Sequence, residues 1–262
     1  MHTNSYTDDL RLAHILADSV DRLTLTRFQA QNFTVSTKPD LTPVTDADCE
    51  AEQLIRSQLS RVRTRDSILG EEFGETGSSP RQWVIDPIDG TKNFVRGVPV
   101  WATLIALLDH GKPVVGLVSA PALNRRWWAA EGTGAYTGRS LANAKRITVS
   151  GVDQISDASL SYSSLSGWKN LGVRDRFIDL TDEVWRTRAY GDFWSYCMVA
   201  EGSVDIAAEP DLQLYDIAAL VPIVQEAGGK LTSLTGEVGP HGGNALATNT
   251  VLHDQALTYV GI

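Results

Sequence analysis

The sequence predicts a layered α/β or α+β fold in which strands and helices intermix throughout. Three observations carry this. Apolar residues at helical spacing open the chain. Short apolar runs bounded by turn residues fill its middle. Strand-like and helix-like stretches then alternate to the end.

Over 8–29, Leu10, Ala13, Leu16, Val20 and Leu23 recur every three or four residues and predict a helix. TKPDLTPVT is turn-rich. Thr45 with Asp48 then fits the S/T-x-x-D/E pattern that caps a helix, here DADCEAEQLIRSQL. SILGEE and QWVID read as short strands. VPVWATLIALLDHGKPVVGLVSAP reads as two strands about a turn at His110–Gly111, and RWWAAEGTGAY as a further strand and hairpin. ASLSYSSL, RTRAYG and SVDIAAEP read as strands, alternating with helical stretches near 170–185, 192–202 and 216–227. The polar segment GRSLANAKRITVSG sets a soft boundary near 138–150, dividing one compact unit into halves 1–145 and 146–262.

With 262 residues, 42% hydrophobic and 21% charged, the chain has the composition of a soluble globular protein with a substantial core. Its net charge of −9 and lack of a basic run argue against nucleic acid as a partner. The longest apolar run, 98–108, is shorter than the ~20 residues of a membrane helix. MHTNSYTDDL lacks the basic-then-apolar pattern of a secretory signal, so the expected location is the cytoplasm. Cys49 and Cys197 then read as free thiols. No G-x-S-x-G elbow or H-E-x-x-H motif occurs, which disfavours a serine hydrolase or a zinc site.

The informative feature is a set of acids at strand ends. In WVIDPIDGTKNF an apolar run leads into Asp86. Pro87 cannot donate to a sheet ladder, so the strand is expected to stop there. Asp89 follows, then Gly90, which permits an unusual backbone angle, and Thr91, which can open a short helix with free amides facing an anion. Two carboxylates beside a phosphate repel it unless cations intervene, and Mg²⁺ takes hard oxygen ligands. ILGEEFG is a second apolar run ending in acids, Glu71 and Glu72. Read alone, Asp48 and Asp216 are helix caps, Asp216 as the N-cap of LYDIAALVPIVQEAGG, where Pro222 is expected to kink the helix.

Together TKPDLTPVTDADCEAE, ILGEEFG, WVIDPIDGTKNF and YDIAALVPIVQEAGG occur in the order found in the inositol monophosphatase family, which the sequence resembles. Tyr215 stands where that family commonly has Trp, and Pro222 interrupts the last motif. The resemblance implies an α-β-α-β-α sandwich of the sugar-phosphatase type and a homodimer. It implies two to three Mg²⁺ ions held by Glu71, Asp86, the carbonyl of Ile88, Asp89 and Asp216. Gly90 and Thr91 would bind phosphate. Thr91 with Asp48 would orient and deprotonate the attacking water, with Glu71 sharing a third, weaker ion. Lys38 falls in the family's flexible loop near the metals. Attack on the phosphate monoester would be in line.

A closer similarity, carried by DPIDGTKNFVRGVPVWA, SAPALNRRWWAAEGTGA, SLSYSSLSGW and RAYGDFWSYCMVAEGSVDIAAEP, is to the actinobacterial branch of this family acting on L-histidinol phosphate in histidine biosynthesis. That substrate carries an ammonium and an imidazole, and Asp192 and Glu209 fall in the segments that flank the leaving group in the family. Their structural alternatives are a helix N-cap for Asp192 and a surface acid for Glu209. Phe94 and Trp101 are candidates to wall the imidazole, or core residues. Rival readings are an inositol or broad sugar-monophosphate phosphatase, and a non-catalytic metal-binding regulatory module. The DGT triplet suggests a haloacid-dehalogenase-type phosphatase, but its two aspartates stand two apart, whereas Asp86 and Asp89 stand three apart.

Overall fold

The computed structural model describes residues 6–38 and 43–262, so the turn-rich TKPDLTPVT falls partly outside the described residues. Among the described residues, two large sheets and three helical layers alternate, with a separate two-stranded hairpin near the start of the chain. The larger sheet has eight strands in the order β10-β9-β8-β7-β6-β5-β3-β4, and the smaller has five in the order β12-β11-β13-β15-β14.

The chain opens with α1 (Thr7–Ala30), a short hairpin of β1 (Val35–Thr37) and β2 (Pro43–Thr45), and α2 (Asp46–Val62). The larger sheet follows as β3 (Ser67–Gly70), β4 (Gly74–Thr76), β5 (Arg81–Asp89), the short helix α3 (Thr91–Val95), β6 (Ala102–Asp109), β7 (Lys112–Ala120), β8 (Arg125–Ala130), β9 (Gly134–Gly138) and β10 (Lys145–Ile147). The rest comprises β11 (Ser159–Tyr162), α4 (Leu165–Asn170), α5 (Arg174–Glu183), β12 (Arg186–Arg188), α6 (Asp192–Ala200), β13 (Ile206–Glu209), α7 (Leu214–Ile217), α8 (Leu220–Glu226), β14 (Lys230–Thr232), β15 (Ala245–Thr248) and α9 (His253–Val260).

Side-chain alternation explains the layering. Along β5, Trp83 and Ile85 face α1 and α2, packing with Leu16, Val20, Ile55 and Leu59. Val84 points to the opposite face, where α6 and α8 contribute Phe193, Val221 and Val224. Both faces of the strand are covered, so its apolar residues run nearly without a break. The smaller sheet closes the middle layer with Ala207 and Ala247. It turns Leu160, Ile206 and Leu246 outward onto Trp168, Phe177 and Ala256 from α4, α5 and α9. Each fully buried Leu, Ile or Phe contributes about 1.5–3 kcal/mol to holding a layer.

The helical expectations are modified in the second half. The stretch near 170–185 forms α5, with the separate short α4 just before it, and the one at 216–227 divides into α7 and α8. The break falls at Ala218–Ala219, before Pro222. Pro222 therefore sits in the first turn of α8, where amides have no intrahelical acceptor and a proline costs no hydrogen bond. Among the described residues no helix is long and apolar enough to cross a membrane. Cys49 and Cys197 are free.

Candidate active site

β5 does not stop at Asp86. It runs on to Asp89 through a bulge, pairing Asp86 with Leu104 and Asp89 with Ala102, so that three residues are spanned against two. Pro87 lies in that bulge and is not asked to donate to the ladder; its carbonyl accepts the Thr103 hydroxyl at 2.8 Å. The Ile88 amide turns back to Asp86 Oδ1 at 3.0 Å. By alternation Asp86 shares the face of Val84 and points toward the middle helical layer, from which α6 and α7 arrive.

Asp216 comes from α7. It is the third residue of that helix rather than its N-cap: Gln213 holds the cap position, and Asp216 Oδ2 accepts the Gln213 amide at 2.6 Å in a reciprocal box. One carboxylate oxygen from each of Asp86, Asp89 and Asp216 lies within 4.8 Å of the others. Glu71, in the turn after β3, is adjacent but outside this tight trio. Its Oε1 accepts Lys38 Nζ at 2.6 Å, and the same ammonium reaches Glu72 at 2.8 Å.

Gly90 takes a left-handed backbone, φ 86°, and a Cβ there would press on the Val100 carbonyl at 3.0 Å. The turn starts α3 at Thr91, whose hydroxyl donates to the Ile88 carbonyl at 3.0 Å and lies 3.4 Å from Asp48 Oδ1. Asp48 is fully buried at the start of α2, in the predicted capping box with Thr45. Thr45 donates to Asp48 Oδ2 through its hydroxyl at 2.5 Å and its amide at 2.8 Å.

Asp192 is the first residue of α6; Gly191, not Asp192, caps that helix. Asp192 holds a left-handed φ of 49°, a conformation Asp tolerates better than most side chains. Its Oδ2 accepts Asn93 Nδ2 at 3.2 Å, and the next amide, Phe193 N–H, donates to Asp89 Oδ2 at 2.7 Å. Glu209 ends β13, buried, with Oε1 lacking a hydrogen-bond partner among the described residues.

Glu71, Asp86, Asp89, Thr91, Asp192, Glu209 and Asp216 line one cavity of about 480 Å³ that also exposes Gly90, Lys92 and Tyr196, whereas Asp48 lies behind Thr91, outside the lining. Among the described residues, seven in the lining are acidic (Glu71, Asp86, Asp89, Asp192, Glu209, Asp211 and Asp216) against one cation, Lys92. That imbalance governs the electrostatics. Burial, then the charges of Glu71, Asp89 and Asp216, holds the Asp86 carboxyl well above the usual range. Burial, then Asp192 and Asp216, does the same to Asp89. Burial, with Glu71 and Asp192, lifts Asp216 to about 7. Glu209 rises to about 8 through burial and Asp192, and Asp48 to about 6 chiefly through burial. Lys38 is held above its ordinary value because Glu71 and Glu72 outweigh the opposing effect of burial. A cluster this short of positive charge suits a divalent cation with oxygen ligands, and the trio and Glu71 supply such donors.

Phe94 and Trp101 do not wall this cavity. Both are fully buried with Ile88, Ala47, Phe28 and Phe33, their own ring centroids 4.9 Å apart. Phe94 lies on the inward side of α3, so it packs beneath the loop that Gly90 and Thr91 present. Tyr196, unforeseen in the sequence, is at the cavity with a buried hydroxyl beside Glu209. Its position four residues after Asp192 on one helix was the available signal. Asn93, inside the motif that drew attention to Asp86, was also missed.

A model of the Inositol monophosphatase family matches residues 9–261. A histidinol-phosphatase of Streptomyces coelicolor is 64% identical over 97% of this chain and 97% of its own. One from Mycobacterium tuberculosis is 62% identical over 96% of this chain and 97% of its own. Among solved structures, a Thermotoga maritima IMPase superposes with a TM-score of 0.86 at 30% identity, covering 97% of this chain and 96% of that one. The five alternating layers and the match along nearly the whole length agree: the chain belongs to the inositol monophosphatase family.

Proposed function

We propose that the chain hydrolyses phosphate monoesters, with L-histidinol phosphate as its preferred substrate, using two to three Mg²⁺ ions. The observation that carries this is the adjacency, in one cavity, of the Asp86–Asp89–Asp216 trio to a second pair of acids, Asp192 and Glu209. The first group suits cations that meet a phosphate; the second suits a leaving group that is itself cationic. The near-full-length similarity to two actinobacterial histidinol-phosphatases supports the same substrate.

In this reading Glu71, Asp86, the Ile88 carbonyl, Asp89 and Asp216 hold the ions. When bound, Mg²⁺ neutralises the phosphate dianion and makes water more acidic at neutral pH. The chain's own residues do the rest. Gly90 and Thr91, at the mouth of α3, offer amides to the phosphate oxygens. Thr91 Oγ1 accepts a proton from the attacking water as its own proton passes to Asp48 Oδ1. Burial has raised that carboxylate to about 6, a better base near neutrality than an ordinary aspartate. Asp192 and Glu209 draw the ammonium and imidazole to the far side, orienting the scissile oxygen for in-line displacement. The same reading includes a homodimer, favoured by Trp185, 68% exposed beside the edge strand β12. Its location is the cytoplasm, consistent with two free thiols.

The test is phosphate release from a panel of monoesters with Mg²⁺ or with a chelator. L-histidinol phosphate should be turned over fastest, and the chelator should abolish turnover. Equal or faster use of inositol or sugar phosphates would refute the substrate assignment. Metal-independent release would refute the chemistry.

A further inference from the structure

We infer that Glu52 is a positioning residue whose buried carboxylate holds the backbone of the Glu71–Glu72 turn and so sets the cation affinity of that side of the cavity. This rests on the reading of Glu71 as a cation ligand.

Three independent contacts place Glu52 there. Its side chain is fully buried on α2. Its Oε2 accepts the Glu72 amide at 2.7 Å, and its Oε1 accepts the Phe73 amide at 3.2 Å. Its charge is matched by Arg56, one turn along, whose Nε donates to Oε1 at 2.7 Å. Arg56 then extends to the far side of the same turn, bonding the Gly74 carbonyl and, at 2.9 Å, the Thr76 hydroxyl. Finally, β3 ends in Gly70, and a Cβ at that position would overlap the Glu52 carboxylate. The absence of a side chain at Gly70 is what lets the carboxylate reach the turn.

The geometry of the turn explains why it needs this acceptor. β3 and β4 are joined by Glu71, Glu72 and Phe73 alone, with Gly70 paired to Gly74. The Glu71 amide is tied to the Ile85 carbonyl on β5 at 3.2 Å. The next two amides point away from that strand, and Glu52 receives both. Glu71 is thus fixed on one side by β5 and on the other by α2, while Lys38 touches only its carboxylate. Asp48 and Glu52 stand four apart and share one face of α2. One rigid helix therefore sets both the group beside Thr91 and the turn bearing Glu71. A carboxylate accepting two amides and an arginine is a strong, directional anchor. Partners of this outer kind commonly govern cation affinity by about 10- to 100-fold.

The test uses the full chain carrying Glu52→Gln, with Glu71→Gln in parallel. A glutamine offers one acceptor oxygen and places an NH₂ against the second amide, so one anchor is lost with little change in volume. Mg²⁺ binding without substrate is measured by calorimetry, KM is measured at saturating Mg²⁺, and Tm in chelator. The expected result for Glu52→Gln is about tenfold weaker Mg²⁺ binding with KM unchanged. If that variant does not fold, Glu52→Asp, charged but too short to span both amides, carries the same expectation. A folded variant with lowered Tm and unaltered Mg²⁺ affinity overturns the inference, because a merely structural residue behaves that way. If Glu71→Gln also leaves Mg²⁺ affinity unaltered, the cation reading of Glu71 falls and this inference with it.

Discussion

Asp86→Asn should make the metal-free protein more stable while nearly abolishing its turnover. The trio oxygens lie within 4.8 Å of one another. At an effective dielectric of about 20, each ionised pair at that distance repels by roughly 3 kcal/mol. Asp86 belongs to two such pairs and also feels Glu71. Partial protonation already relieves part of this, leaving about 1–3 kcal/mol to be recovered by removing the charge. Asparagine keeps an oxygen for the Ile88 amide, so the backbone bond at 3.0 Å survives. For a chain of this length the gain corresponds to a rise in Tm of roughly 3–8 °C in chelator at pH 8. It should shrink toward pH 4–5, where the wild-type carboxyls hold protons and no longer repel. With Mg²⁺ present the order should reverse, because the ions lose a charged ligand. Turnover should fall about 1,000-fold, the equivalent of roughly 4 kcal/mol of lost charge stabilisation. Calorimetry with and without Mg²⁺, alongside phosphate release, measures both sides. A folded variant with near-normal turnover, or one less stable than wild type in chelator, would refute the reasoning.

Further expectations concern pH and specificity. Asp48, Asp216 and Glu209 have folded values of about 6, 7 and 8, all above those of the unfolded chain. The folded state therefore keeps protons that the unfolded state has released, and stability in chelator should decline as pH rises from about 4 to 8. Mg²⁺ should cancel the part due to the trio but not that due to Glu209. A Tm in chelator that climbs over this window would contradict the assignment. Asp192→Asn, chosen because asparagine tolerates the φ of 49°, should lower kcat/KM for L-histidinol phosphate about tenfold more than for a neutral sugar phosphate. Equal losses on both substrates would remove Asp192 from the specificity argument.

Much of the site was legible because its acids sit at element boundaries, where local rules are strong. The Thr45–Asp48 box and the left-handed Gly90 opening α3 follow from short-range chemistry alone. The expectation that β5 would end at Pro87 failed because a bulge removed the demand on the missing amide. Asp216 read as an N-cap because its role as the third residue of a box depends on Gln213, which has a weak capping preference by itself. Phe94 and Trp101 were ambiguous because an aromatic residue beside a cavity motif faces either way, and only the packing of Phe28 and Phe33 turns them inward. Glu52 is not distinguished by the sequence, because one acid in CEAE looks like any helix-surface charge; its burial depends on Gly70, eighteen positions on.

By itself, the sequence determined which residue types were available and in what local frame: carboxylates at strand and helix ends, a glycine turn that opens a short helix, and apolar periods that fix the elements. Only the tertiary structure decided that Asp86, Asp89 and Asp216 meet, that Asp192 and Glu209 stand beside them, and that Phe94 and Trp101 do not. The reason is one of range. Backbone preferences act over a few residues, whereas this cavity forms where a strand of one sheet meets helices and a strand packed against it from more than 100 positions away.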